Sequence, residues 1–196
     1  MDDAASAGLV LRHEAGAVRL PRDVVRVAGP DAVAFLQGQL SQDVAALAVG
    51  ASAHSFVLEP QGKVDAWFRV TRTAPDAVVI DADAGAGDLV VARLERFLLR
   101  TKATIDRLDW SCVAVRGPGT PAAPAAPEGG VAVAVDWPPM AGVDLLGPSV
   151  EVPPGVPECG LDAYEALRIE AGVPVTGREL TPATIPEETG LVDRSV

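Results

Sequence analysis

Cysteine and histidine are scarce, with two of each in 196 residues. Cys112 and Cys159 lie far apart and form no Cys-x-x-Cys pair, so a sequence-encoded zinc or cluster site has no support. His13 and His54 have no companion at ligand spacing, which leaves neither a metal hydrolase nor a Ser-His-Asp triad a footing. No apolar run reaches about 18 residues, so no membrane span is expected. The N-terminal MDDAASAGLVLRHEAG has no basic region followed by an apolar one and is not a signal peptide. A cytoplasmic location is the expectation. Basic residues are outnumbered, 16 against 27 acidic, for a net charge of −11. That charge repels phosphate backbones, and direct nucleic-acid binding is not expected. Neither Gly-x-Gly-x-x-Gly nor a Gly-Lys-Ser/Thr loop occurs, which argues against nucleotide enzymes of those kinds.

What is present is a globular composition, 48% hydrophobic and 22% charged, enough for one domain or two small ones. GAVRLPRDVVRVA (16–28) alternates as short strands. GPDAVAFLQGQL reads as a helix with Val33, Leu36 and Leu40 in a stripe, and Gly38 within it as a point of close backbone approach. HSFVLEPQGKVDAWFRVTR reads as a hairpin turning at Glu59–Gly62. Its return strand puts Val64, Ala66, Phe68 and Val70 on one face and Asp65, Trp67, Arg69 and Thr71 on the other. AVVIDAD, ATIDRL, WSCVAVRG and VAVAVDW read as strands, and GVDLLGPSVEV as a pair. GDLVVARLERFLLR (87–100) is expected to be a helix with Val90, Leu94, Phe97 and Leu98 inward. Arg93, Arg96 and Arg100 then share one face beside Lys102, a solvated surface or an anion patch. Residues 117–130, rich in Pro, Ala and Gly, read as a solvated connector. Cys112 reads as a small buried hydrophobe, and Cys159, just before a helix, as structural or as a stabilised thiolate. In that helix Asp162 is the expected cap, with Glu165 completing a capping box, Leu161 and Ala166 a staple, and Gly172 and Pro174 the stop. The expected class is α+β with antiparallel sheets and packed helices.

Four segments then recur in one order: GPDAVAFLQGQLSQDV (29–44), LEPQGKVDAWFRV (58–70), RLERFLLRTKATI (93–105) and RIEAGVPVTGRELTPATIPEETGL (168–191). Together they resemble the YgfZ-type folate-binding proteins, relatives of the glycine-cleavage T-protein (aminomethyltransferase). The resemblance implies domains around a folate site, with tetrahydrofolate as ligand. The grouping expected here is 1–50 with 131–196 as one subdomain, 51–116 as a second, and 117–130 as the linker. It also implies support of iron–sulfur protein assembly or repair, and through it tRNA modification. The alternatives are a tetrahydrofolate-dependent aminomethyl or one-carbon transferase and an inactive truncated copy. The family's Lys-Gly-Cys-Tyr-x-Gly-Gln-Glu signature belongs a few residues beyond GLVDRSV, and its C-terminal β-barrel lies further on. Neither is within residues 1–196, as expected of a fragment or a short form.

The resemblance also names candidate ligands of folate. Glu170 matches the acid of the family's Arg-x-Glu-Ala-Gly segment, which meets the pterin ring. A carboxylate accepts from a pterin amino group and ring N–H together, as it does from guanidinium. A carboxylate in a last helical turn is otherwise disfavoured by the macrodipole, by up to ~1 kcal/mol. The alternative for Glu170 is a surface acid or an ion pair with Arg168 or Arg178. Asp65 lies near the T-protein's catalytic aspartate pair, whose second position here is Ala66. Its alternative is a cross-strand partner for an arginine. Trp67 and Phe56 offer flat faces for a ring or for packing. Arg69, Arg72 and Arg168 complete the candidates, the first two for a tail carboxylate. Gln37, Gln39, Asp43, Pro186 and Glu187 match family positions without a specified role.

Overall fold

The computed structural model describes residues 3–121 and 125–196. The chain is α+β, and its strands form two antiparallel sheets. By internal contacts it divides into two compact units, Met1–Pro21 with Asp109–Val173 and Arg22–Leu108 with Pro174–Val196. This grouping differs from the expected one. Residues 22–50 go with 51–108 because the strand at 22–28 pairs with two strands of that stretch. Residues 111–116 go with the first unit because they pair with 16–20.

In the first unit, helix α1 (Asp3–His13) leads into β1 (Gly16–Leu20). Strands β7 (Ser111–Arg116), β8 (Val131–Val135) and β9 (Gly142–Gly147) complete a sheet of order β1-β7-β9-β8. Its alternation serves two apolar layers. Val18 faces Leu11 of α1 and Ala163 and Leu167 of α4 (Leu161–Glu170). Ala17, Val113, Val115, Val143 and Leu145 pack on the other side. A run that reads as mostly apolar is therefore what a sheet covered on both faces requires. No strand follows β9 at 148–152, so GVDLLGPSVEV gives one strand and not two. The connector is also not wholly solvated. Gly117 has φ +108°, and Gly119 N–H donates to the Glu14 carbonyl, which docks the first residues of the stretch on the end of α1. Residues 122–124 of that expected linker lie outside the described residues.

The second unit begins with β2 (Arg22–Ala28) and α2 (Ala32–Gln37). Strands β3 (Ser52–Leu58), β4 (Val64–Ala74) and β5 (Ala77–Asp83) follow, then α3 (Gly87–Glu95) and β6 (Thr104–Leu108). The sheet order is β3-β4-β5-β2-β6. The helices cover one face, where Phe35, Leu36, Val57, Phe68, Val70, Ile80 and Leu94 form the core. Ala66 lies in this core as well. The Glu59–Gly62 turn closes β3 on β4 with Gly62 N–H bonded to the Glu59 carbonyl at 2.9 Å. Gly38 caps α2, and only ordinary contacts surround it, so it marks a helix end and not a close approach.

Helix α3 stops five residues short of expectation. Beyond Glu95 the chain tightens into three-residue turns, with Phe97 N–H bonded to the Leu94 carbonyl and Leu98 N–H to that of Glu95. Arg100 then takes φ +64°. Arg100 therefore leaves the face it would share with Arg93 and Arg96, and Phe97 is 43% exposed. Tandem large residues, Phe97-Leu98-Leu99, cannot all face one core from a helix, and the chain breaks at that point.

Candidate functional site

Two places carry the candidate residues, one in each unit. In the first unit the site is the end of α4. Gly160 precedes the helix without a side-chain cap, and Asp162 sits inside the first turn, where the helix dipole favours it. Glu165 serves Arg168 instead of a capping box, and Leu161 and Ala166 are both exposed and form no staple. The C-terminus ends as expected of Gly172. At φ +67° it lets Gly172 N–H reach the Ile169 carbonyl and Val173 N–H the Arg168 carbonyl, a Schellman closure.

Arg168 is buried within this closure. Its Nε and Nη2 donate to the Glu165 carboxylate at 3.2 and 3.1 Å, and its Nη1 donates to the Val173 carbonyl at 2.5 Å. It ties the helix to the chain that leaves it. Glu170 points out. Arg12 of α1 grips it through Nε at 3.1 Å and Nη2 at 2.5 Å, one donor to each carboxylate oxygen. That fork holds its carboxyl below the usual carboxylate range. The side chains stay 29% and 51% exposed. The partner is thus neither Arg168 nor Arg178, but a residue 158 positions away.

In the second unit the site is the sheet face opposite the apolar core. The register β3-β4-β5 sets His54, Arg69 and Asp81 in one row across the strands, and Phe56 and Trp67 side by side in the next. Arg69 and Asp81 are 6% and 1% exposed and joined by a two-pronged pair at 3.0 and 3.1 Å. Arg22 enters from β2, bonding Asp81 at 2.9 Å and Asp83 at 2.5 Å. The other Asp83 oxygen accepts the Thr176 N–H at 3.0 Å, which anchors the start of the 174–196 segment. Trp67 is 5% exposed, stacks on His54 with ring centres 4.7 Å apart, and donates its indole N–H to the Ser195 hydroxyl at 3.0 Å. Burial, and then the Arg69 charge, lower the His54 pKa to about 4, so the imidazole is neutral at pH 7.

Asp65 lies at the start of β4 with 29% of its side chain exposed, 3.6 Å from Arg93 Nε. Arg93 also reaches the Gln39 side chain at 3.3 Å and the Leu58 carbonyl at 3.2 Å, and covers the Phe97 ring at 4.3 Å. The cross-strand arginine expected for Asp65 is thus a helix arginine. Arg72 is committed to the carbonyls of Ala45, Leu47 and Pro75. Gln37 and Asp43 accept N–H groups of the 41–50 loop. Pro186 and Glu187 form a single 3-10 turn. Cys112 is buried, and Cys159 is buried against Leu11 and Val18 with its Sγ 3.9 Å from the Ala7 and Pro157 carbonyls. Sequence reasoning missed His54, Asp81, Asp83 and Arg22. The alternation of β4 was the available signal, since a strand that puts Trp and Arg opposite its core side asks for a polar face.

Over 199 residues the chain is 31% identical to the aminomethyltransferase of Bordetella parapertussis, an alignment covering 85% of this chain and 54% of that protein. The chain is similar in sequence and fold to the glycine-cleavage T-proteins (aminomethyltransferases). The aminomethyltransferase of Streptomyces avermitilis is 26% identical over 220 residues, 93% of this chain and 59% of its own length. The fold matches that of glycine cleavage system aminomethyltransferase T from Bartonella henselae with a TM-score of 0.82. That match has 24% identity and covers 93% of this chain and 58% of the other. The chain spans about half the length of the curated relatives it matches. No family model matches it. Among the described residues, no helix is long and apolar enough to cross a membrane.

Proposed function

We propose that this chain belongs to the T-protein superfamily, binds a reduced folate and acts as a YgfZ-like accessory protein in the assembly or repair of iron–sulfur proteins in the cytoplasm, with tRNA modification affected through those clients. The observation that carries the reading is the state of Glu170. Its two oxygens already accept a planar pair of N–H donors, from Arg12. Tetrahydrofolate offers such a pair on its pterin edge, so the donor set fits the group. In this reading Glu170 takes the pterin and Arg168 fixes the helix end that presents it. In the second unit, Asp65 is the accessible acceptor, and Trp67 and Arg69 shape the buried polar face behind it.

The competing reading is a folate-dependent aminomethyl transferase, the name its relatives carry. Asp65 is the acid that this stretch of β4 offers, and it is engaged by Arg93. The neighbouring position holds Ala66, whose side chain is enclosed in the apolar core. This favours binding without transfer. Titration calorimetry with tetrahydrofolate tests the binding. The chain is expected to bind it, and Glu170→Ala to weaken binding at least tenfold; unchanged affinity in that variant rejects the assignment. An exchange assay with a lipoyl carrier protein and tetrahydrofolate separates the two roles. Turnover establishes the transferase, and binding without turnover the accessory role.

A further inference from the structure

We propose that Arg12 is an internal stand-in for the ligand at Glu170, so that ligand enters by exchanging with it. Arg12 thereby restricts the site to ligands that bear two adjacent N–H donors on one carbon. The inference rests on the folate-binding reading above. A guanidinium presents its donors as N–C–N in one plane. The 2-amino-pyrimidinone edge of a pterin presents the same array, an exocyclic amino group and a ring N–H on a shared carbon. Arg12 uses both Glu170 oxygens, one with Nε and one with Nη2. Two such forks cannot occupy one carboxylate edge together, so pterin and Arg12 exclude each other.

The surroundings permit the exchange. The Arg12 and Glu170 side chains are 29% and 51% exposed, so water can solvate a displaced guanidinium. An exposed pair is held weakly. The Arg116–Asp144 pair of the same unit is the contrast. Its side chains are 2% and 10% exposed, and opening it strands a buried charge. Arg12 keeps a foothold when it swings away, because its Nη1 donates to the Gly8 carbonyl at 2.8 Å, one turn back on its own helix. Gly8 makes room for this. A Cβ there would lie 2.8 Å from Arg12 Nη1 and press on the guanidinium. Affinity for the ligand is then reduced by the fraction of molecules in which Arg12 holds Glu170. A ligand without the paired donors displaces Arg12 and restores nothing to the carboxylate.

The test is calorimetry with tetrahydrofolate on the full chain, comparing wild type with Arg12→Gln, Gly8→Ala and Glu170→Gln. Arg12→Gln is expected to tighten binding roughly two- to fivefold, the range that release of an exposed pair supports. Gly8→Ala, which keeps the arginine and favours the helix, is expected to shift affinity in the same direction by less. Glu170→Gln is expected to lose binding. Millimolar methylguanidinium, the head group of Arg12, should weaken tetrahydrofolate binding to Arg12→Gln. Loss of binding in Glu170→Gln together with equal or weaker binding in Arg12→Gln overturns the stand-in and leaves the folate reading in place. Glu170→Gln that binds as wild type does, or absence of binding in both wild type and Arg12→Gln, overturns the folate reading and the inference with it.

Discussion

At position 54 a histidine lies nearly flat against Trp67, with 14° between the rings, on a face that also holds Arg69 and Arg22. Burial disfavours its cation first, and the Arg69 charge adds to this, while Asp81 opposes both. The folded-state pKa of about 4 lies below the unfolded value of 6.5. Between those values the unfolded chain binds a proton that the folded chain does not, so acidification favours unfolding. The stabilisation is complete above the unfolded pKa and is lost as pH falls toward the folded one. Its full size is on the order of 3 kcal/mol, at about 1.4 kcal/mol per pH unit. His54→Phe keeps the stack and removes the titration. Urea midpoints measured at pH 7 and pH 4.5 should fall further in wild type than in this variant. Equal losses would remove His54 as the cause. A sequence shows His54 as one of two isolated histidines, and nothing local marks it as buried. Glu170 shows the same limit. Its acidity and its place at a helix end are legible, but the residue that holds it, Arg12, comes from the other end of the unit.

Among elements, the sheets were legible where alternation was strong, and the errors share one cause. Strands β1 to β5 were readable because β-branched residues alternate between bounded turns. The alternation of the return strand β4 gives both its faces, but from Trp67 to Thr71 the second face is as buried as the first. Periodicity reports which side chains point together, not what covers them. ASAGLVL carries no clear polar stripe, so helix α1 has no signal in the sequence, and the apolar pattern of α3 continues after its backbone has stopped. The polar face also makes an element-scale prediction. Asp81 joins β5 to β4 through Arg69 and to β2 through Arg22, while Asp83 holds Thr176. Asp81→Asn leaves the buried Arg69 facing a neutral amide and leaves Arg22 with Asp83 as its remaining carboxylate, at a cost of about 3–5 kcal/mol. Replacing both partners, Asp81→Leu with Arg69→Met, should recover a large part of that loss, because neither charge is then stranded. The check is urea denaturation of Asp81→Leu, Arg69→Met and their double variant as a cycle, with Asp81→Asn beside them. A double variant less stable than Asp81→Asn would show that the charges, and not their mismatch, hold these strands.

On the scale of the molecule, the chain makes the second unit as an interruption of the first. It leaves the first unit after Pro21 and returns at Asp109, and those two points lie close within the first unit. Leu20 of β1 pairs with Cys112 of β7, so the two strands are antiparallel neighbours whose ends meet at the excursion. Removing residues 22–108 and joining Pro21 to Asp109 through two or three glycine and serine residues converts a long-range pairing into a hairpin. Loop closure then costs less than in the parent, because the loop shortens from most of a domain to a few residues. The layers that stabilise this unit come from its own segments: α1 and α4 on one side of the sheet, and Ala17, Val113, Val115, Val143 and Leu145 on the other. A small core of this kind is marginal, yet it is closed by residues that all remain. The excised unit, ending at Val173, is therefore expected to unfold cooperatively in urea and to protect the amides of β7 and β9 from exchange. It should also keep the Arg12–Glu170 pair, visible as a Glu170 carboxyl that titrates below the ordinary range in carbon-detected NMR. A featureless melt with unprotected β7 would mean that the first unit depends on the interruption for its fold, and that its contact boundary is not a folding boundary.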